Sequence, residues 1–352
     1  MDNIRHMVVR LDAGEKYGMG HLSRCISLAE EFIPEFQINF IIKTDNTLKV
    51  TTFIEEKLTF GNYHTDFIAD FETNVDNELD TLIEKVNKLN AFLIVDHYNA
   101  DREYQLRLRK NNIKWLQFDS HGKIKFYADF VLHASPGATQ KLYKPLTEYT
   151  GTELLLGPNY AVVNKTFSKA RTKAKIRQTV KHIFVCFGGG DDKGAALKTV
   201  NNIKSLTERA INITLLVPES NAQYNEILDA ANFNSNINIL SNSPEVHHIM
   251  ANADLAVIAP GTLSYEAASV GLPMVLVTIA DNQNINAEGW SKIGAGINLG
   301  NVENLEKNRL SETIEDLITS PEKLQAMSEN CFNAVDGRGT ERVKSKILDI
   351  IL

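Results

Sequence analysis

Two places in this chain set glycines between a short apolar run and a helix-periodic run. In the first, Met7-Val8-Val9-Arg10-Leu11 reads as a strand, Gly18-Met19-Gly20-His21-Leu22-Ser23-Arg24 as a turn, and Cys25–Phe32 as a helix. In the second, the strand His182–Phe187 runs into Gly188-Gly189-Gly190-Asp191-Asp192-Lys193-Gly194, and a helix follows. Each heads a series of alternating strand-like and helix-like segments. Such alternation implies parallel strands joined by crossover helices that cover both sheet faces. The expected fold class is therefore α/β, with two Rossmann-like doubly wound parallel-sheet domains.

Strands are expected at 6–11, 37–42, 91–95, 114–118 and 129–133, with helices at 21–33, 46–58, 76–89 and 101–111. Residues 134–164 break the rhythm with Pro136, Gly137, Pro145, Gly151, Gly157 and Pro158. The basic stretch Lys165–Lys181 then reads as a partly helical, solvated face. The boundary falls here, giving domains of 1–155 and 156–352. Further strands are expected at 212–217, 236–240, 254–258, 274–278 and 296–299. The C-terminal residues read as helices, with Asp336-Gly337-Arg338-Gly339-Thr340 as a turn. Whether the last helix packs back on the N-terminal domain stays open.

The totals exclude several classes. A chain of 352 residues, 43% hydrophobic, has ample material for two cores. Its net charge of −7 argues against nucleic acid or an anionic membrane as a partner held by bulk charge. Cys25, Cys186 and Cys331 are scattered, which disfavours a disulfide framework or a zinc site and fits a reducing compartment. Residues 1–10 lack the core of a signal peptide, and no run approaches the roughly 18 apolar residues of a membrane helix. A cytoplasmic protein without membrane insertion, metal or cofactor is expected. The oligomeric state carries no signal.

Candidate functional residues cluster where parallel strands end, since ligands bind outside those ends. A helix start offers unpaired N–H groups, glycine lets a ligand approach the backbone, and His21 there suits a general base. Leu93-Ile94-Val95 runs into Asp96, His97 and Tyr98, which become candidates for the same site. Asp12 is a candidate to orient His21 or, equally, to serve a structural role. Arg24, one helical turn after His21, is placed to reach a phosphate or to pair with an acid. In the second half, Gly188, Gly189 and Gly190 form a plausible phosphate loop, although it fits neither the P-loop nor the dinucleotide pattern. Asp254–Ala259 reads as a strand leading to Pro260-Gly261-Thr262, with Thr262 as helix N-cap and Glu266 able to accept from a ribose diol. Asp281, Asn282 and Gln283 stand at the end of Met274-Val275-Leu276-Val277.

The order and spacing of several stretches resemble the UDP-sugar hydrolase family of pseudaminic acid biosynthesis, whose substrate is UDP-2,4-diacetamido-2,4,6-trideoxy-β-L-altropyranose. The stretches are Arg10-Leu11-Asp12, Gly18-x-Gly20-His21-x-x-Arg24, Asp96-His97-Tyr98, Leu156-Gly157-Pro158-Asn159-Tyr160-Ala161, Gly188-Gly189-Gly190-Asp191, Gly261-Thr262 with Glu266, Ala280-Asp281-Asn282-Gln283 and Asp336-Gly337-x-Gly339-x-x-Arg342. The resemblance covers nearly the whole chain. Phe118-Asp119-Ser120-His121, Leu132-His133-Ala134-Ser135-Pro136-Gly137 and the Gly-Gly-Gly-Asp-Asp loop depart from the family pattern.

The resemblance implies a glycosyltransferase B fold with a cleft between the domains. It also implies a UDP-sugar substrate, a UDP product and metal-independent hydrolysis. His21 would be the base, with Asp12 and Tyr98 beside it. Gly20, Arg24, Asp96 and His97 would shape the sugar and water site. Gly188–Gly190, Gly261, Thr262, Glu266, Asp281, Asn282 and Gln283 would hold UDP. A glycosyltransferase of the same fold, passing the sugar to an acceptor hydroxyl, is the main alternative. A non-catalytic nucleotide-sugar-binding module is a further one.

Overall fold

A computed structural model describes residues 5–57, 63–69, 75–231, 234–306 and 308–351. The fold divides into two compact units. One holds the chain up to Ala134, Ala138–Val162 and the helix from Gly339 onward; the other holds Ser135–Gly137 and Val163–Arg338.

In the first unit, strands β1 (Arg5–Asp12), β2 (Phe36–Thr44), β3 (Tyr63–Ala69), β4 (Phe92–Asp96), β5 (Trp115–Phe118), β6 (Phe130–His133) and β7 (Glu153–Leu156) form one sheet in the order β3-β2-β1-β4-β5-β6-β7. Every neighbouring pair is parallel. Between the strands run α1 (Gly20–Ala29), α2 (Thr47–Lys57), α3 (Val75–Leu89), α4 (Arg102–Lys110) and the short α5 (Gln140–Tyr143). The last residue of the helix expected at 46–58 lies outside the described residues. Successive strand residues point to opposite faces. Met7, Val9 and Leu11 therefore join one core with Leu22 and Ile26 of α1. Val8 joins the other core, with Leu79 of α3 and Tyr104 of α4.

In the second unit, α6 (Lys165–Arg171) precedes a six-stranded sheet. Its strands are β8 (His182–Cys186), β9 (Asn212–Leu216), β10 (Ile237–Leu240), β11 (Leu255–Ile258), β12 (Met274–Thr278) and β13 (Gly296–Asn301), in the order β10-β9-β8-β11-β12-β13. Again all pairs are parallel. The helices are α7 (Ala195–Ile203), α8 (Tyr224–Ala231), α9 (Val246–Asn252), α10 (Thr262–Ser269), α11 (Asn284–Lys292), α12 (Arg309–Thr319) and α13 (Pro321–Ala334). Both sheets reverse winding direction once, between β1 and β4 and between β8 and β11. That switch point opens a crevice at the strands' carboxyl ends. The doubly wound α/β class expected from the sequence is the one found.

Two edge strands, β3 and β7, were not expected. β3 reads Tyr-His-Thr-Asp-Phe-Ile-Ala, with its side chains mostly half-buried, so it lacks the continuous apolar run of a central strand. β7 has only four residues and follows the Pro/Gly-rich break. The basic stretch after 165 is not simply a solvated face. Arg177 is buried and donates to the carbonyls of Ala253 and Ala251 at 3.1 and 2.8 Å and to that of Val270. It satisfies backbone groups that helix C-termini leave without partners. The final helix, α14 (Gly339–Ile351), belongs to the first unit. A side chain on Gly339 would meet the Ala161 carbonyl at 2.2 Å, and Arg342 donates to the Asn159 carbonyl at 3.0 Å. Two of the stretches singled out in the sequence thus meet as a helix-docking joint.

Candidate functional site

In the first unit the site grows from the β1–β4 switch point. After β1 the chain turns through Gly18, at φ +73°, into α1, whose N-cap Met19 supplies no side-chain bond. His21 therefore stands in the first turn of a helix with open N–H groups. Asp96 ends β4 and pairs in register with Leu11 of β1, so it shares Leu11's face, the one covered by α1. His21 Nδ1 lies 2.7 Å from Asp96 Oδ1. Arg24, three residues on, donates Nε to Asp96 Oδ2 at 2.6 Å and Nη2 to Oδ1, and Cys25 Sγ lies 3.4 Å from Oδ2.

The buried Asp96 carboxylate is thus saturated with donors. Burial alone would raise it, but the Arg24 guanidinium and then His21 outweigh burial and hold it well below the ordinary carboxylate range. An ionised acceptor assigns the neutral imidazole proton to Nδ1 and leaves Nε2 as the acceptor. Nε2 faces the Tyr98 hydroxyl at 3.1 Å, and the two rings meet edge to face at 5.1 Å. Tyr98 is 52% exposed, so this nitrogen points to the open side of the site. The arrangement can take a proton from a hydroxyl at Nε2 while Asp96 steadies the resulting imidazolium.

Of the two roles open to Asp12, orienting His21 or a structural one, the geometry gives the second, and His97, expected to shape the sugar and water site, is turned away from His21. Both fall on the opposite sheet face. Asp12 accepts from Arg10 Nη1 at 2.6 Å, and Arg10 Nε pairs with Glu78 of α3 at 2.6 Å. His97 is buried against Tyr104 at 5.1 Å, and neither ring nitrogen has a hydrogen-bond partner among the described residues. Burial, then the Arg10 guanidinium, pushes His97 well below the ordinary imidazole value. Strand alternation separates these residues from His21 whatever their closeness in sequence. Arg24 takes the second of its two expected roles and pairs with an acid.

In the second unit the two glycine turns stand at the β8–β11 switch point. Gly188 has φ +98°, and a side chain there or on Gly261 would meet nothing within 4 Å, so the backbone faces open space at both. Burial pushes the thiol of Cys186, which ends β8, up to about 12. The Gly188 N–H works against this, and the carboxylates of Glu266 and Asp192 add to it, so all three lie around one strand end. The two helix starts differ. Asp192 is buried and accepts from Gly194 N and Ala196 N, both at 3.0 Å. The start of α7 therefore already holds a carboxylate, and the glycine loop does not lead straight into an open helix end. α10 starts without a side-chain cap, and its N-cap is Gly261, not the expected Thr262.

The turn before α10 is fixed from behind. Asn286 Nδ2 donates to the Pro260 carbonyl at 2.7 Å and to Ser264 Oγ at 3.0 Å, and Trp290 Nε1 donates to Ser264 Oγ at 2.9 Å. The sequence singled out none of Ser264, Asn286 and Trp290, which read as ordinary helix residues. Asp281, Asn282 and Gln283 form one 3-10 turn after β12. The Gln283 side-chain oxygen accepts from Ile279 N at 2.8 Å, which ties the side chain back to the end of β12. Glu245, His247 and His248, at the start of α9, bring possible metal-ligating atoms within 4.8 Å of one another. Among the described residues no helix is long and apolar enough to cross a membrane.

Comparison with known proteins gives the fold and an enzyme neighbourhood. The model of the lipid-A-disaccharide synthetase family matches residues 123–280. The spore coat polysaccharide biosynthesis protein SpsG of Bacillus subtilis is 22% identical over 98% of this chain and 98% of its own. The UDP-N-acetylglucosamine--N-acetylmuramyl-(pentapeptide) pyrophosphoryl-undecaprenol N-acetylglucosamine transferase of Acetivibrio thermocellus is 28% identical over 48% of this chain and 47% of its own. The chain spans about half the length of two of the curated relatives that it matches, 54% and 47%. The crystal structure of MurG from Acinetobacter baumannii superposes with a TM-score of 0.69, at 16% identity, over 98% of this chain and all of that one. The chain has the glycosyltransferase B fold of these neighbours, and its relatives include proteins of polysaccharide biosynthesis and UDP-sugar transfer.

Proposed function

We propose that the protein is a UDP-sugar-dependent enzyme that joins the anomeric carbon of its donor to an oxygen nucleophile, a glycosyltransferase that uses an acceptor hydroxyl. The observation that carries this reading is the Asp96–His21 pair at the β1–β4 switch point, with Nε2 turned toward the open side. In the reaction, the hydroxyl oxygen bonds to the anomeric carbon as its proton passes to His21 Nε2. The bond from that carbon to the phosphate oxygen breaks, and UDP leaves with the electron pair. Asp96, held ionised by Arg24, stabilises the imidazolium. A base positioned in this way supplies roughly 10²–10⁴-fold. The uncapped start of α10 at Gly261 would bind phosphate, Glu266 the ribose hydroxyls, and Gly188 a close backbone approach. Helix-end donors matter most as charge gathers on the departing phosphate.

Water in place of the acceptor is the second reading, favoured by the order and spacing of the motifs from Arg10 to Arg342. On that reading the donor is a UDP-diacetamido-trideoxyhexose of pseudaminic acid-type synthesis. The deciding experiment incubates purified protein with UDP-N-acetylhexosamines and UDP-diacetamido-trideoxyhexoses, with and without hydroxyl acceptors, and follows UDP release by NMR. Release that needs an acceptor supports transfer. Prompt release without one supports hydrolysis. UDP binding with no turnover of any donor would defeat both readings.

A further inference from the structure

Asp119 of the stretch Phe118–His121 and His133, at the start of another stretch set apart in the sequence, meet in the first unit through Tyr143 of α5. Resting on the function proposed above, we propose that His121 contacts the sugar of the bound nucleotide-sugar and helps to select it. Asp119, Tyr143 and His133 are positioning residues that hold it in place.

The end of β5 reaches the His21 site at two points. The Phe118 ring lies under the Arg24 guanidinium at 4.6 Å. His121 stands edge to face with Tyr98 at 5.0 Å, as His21 does on that ring at 5.1 Å. A half-exposed phenol ring in contact with two imidazoles is a surface of mixed chemistry. Its ring face suits the C–H face of a pyranose, and the nitrogens suit hydroxyl or acetamido groups at the sugar's edge.

The turn that carries His121 is held from within. Asp119 is buried and accepts from the His121 backbone N–H at 3.2 Å and from Gly122 N at 2.7 Å. The Tyr143 hydroxyl donates to the same carboxylate at 2.5 Å. His133 Nδ1 bonds in turn to the Tyr143 oxygen. Since Tyr143 donates its proton to Asp119, His133 must donate from Nδ1. Burial lowers His133 to about 4 against the pull of Asp119, so it is neutral at pH 7 and the polarity of this chain of bonds is fixed. The buried network thus holds the turn in one conformation, with the His121 ring against Tyr98.

The test uses the full chain with ¹³C-labelled histidine and two probes, UDP and UDP-N-acetylglucosamine. The His121 ring resonance is assigned by its loss in His121→Gln. It should shift with UDP-N-acetylglucosamine and stay put with UDP. With a turned-over donor, His121→Gln should raise KM by about tenfold, the worth of one hydrogen bond, with kcat within twofold. Tyr143→Phe, which keeps the buried ring, should raise KM in the same direction and add nothing to His121→Gln. Binding of UDP-N-acetylglucosamine with a silent His121 resonance, or a Tyr143→Phe protein that loses thermal stability with KM unmoved, overturns this inference and leaves the proposed function standing. Failure of both probes to bind overturns both.

Discussion

His21 and Asp96 are 75 residues apart and meet because Asp96 pairs with Leu11 across β1 and β4, on the face that α1 covers. Asp12, one residue beyond Leu11, faces the other way and is committed to Arg10. Replacing His21 by Asn should cut turnover by about 10²–10⁴-fold while UDP affinity, measured by calorimetry, stays within twofold. A turnover loss below tenfold would remove His21 from the chemistry. The buried histidines set a pH limit. His133 binds its proton at about 4 in the folded chain, against 6.5 ordinarily. Between those values the unfolded chain holds more protons, so stability falls as pH falls through that window. His97, lowered in the same direction, adds to this fall. The melting temperature should therefore drop between pH 6.5 and 4.5, and His133→Asn should flatten part of the drop. An identical pH slope in that variant would contradict the assignment.

Two helices that begin alike in sequence, after a strand and glycines, begin differently in chemistry. α7 is closed by Asp192, whose carboxylate takes the N–H groups an anion would use. α10 is left open at Gly261, and the Ser264–Asn286–Trp290 cluster holds its turn rigid. Gly261→Ala should leave thermal stability nearly unchanged, since the new methyl meets nothing and φ is −97°. Yet it should weaken UDP binding about tenfold by blocking close approach, and unaltered UDP affinity would move the phosphate site elsewhere. Ser264→Ala should destabilise by about 1–3 kcal/mol in denaturant titration, because it leaves the buried donors Trp290 Nε1 and Asn286 Nδ2 short of an acceptor.

Across the whole molecule, the chain begins one unit, builds the second, and returns to the first with its last helix. Val343 and Ile347 of α14 are fully buried in the core that also holds Met7 and Val9 of β1. Ile347→Ala should cost about 2–5 kcal/mol. The loss should appear as faster amide exchange in β1, β2 and α1, with β8 and β11 protected as before. A uniform rise over both sheets would mean that the two units unfold as one.

The α/β class, most central strands and the two glycine turns were legible in the sequence, because each rests on a run of ten or so residues whose apolar period is local. His21 and Asp96 were both singled out, but not as partners. Their pairing depends on the register of β4 against β1 and on which sheet face α1 covers, and neither leaves a local mark. The same non-local choice of face removed Asp12 and His97 from the His21 side. It also brought His121 to Tyr98 and joined Asp119 to His133 through Tyr143. β3 and β7 stayed hidden because an edge strand with one neighbour need not be apolar throughout. Sequence by itself determined which elements form and where backbone is left open. Tertiary structure decided which carboxylate serves which histidine, because that depends on strands adjacent in space and not in sequence.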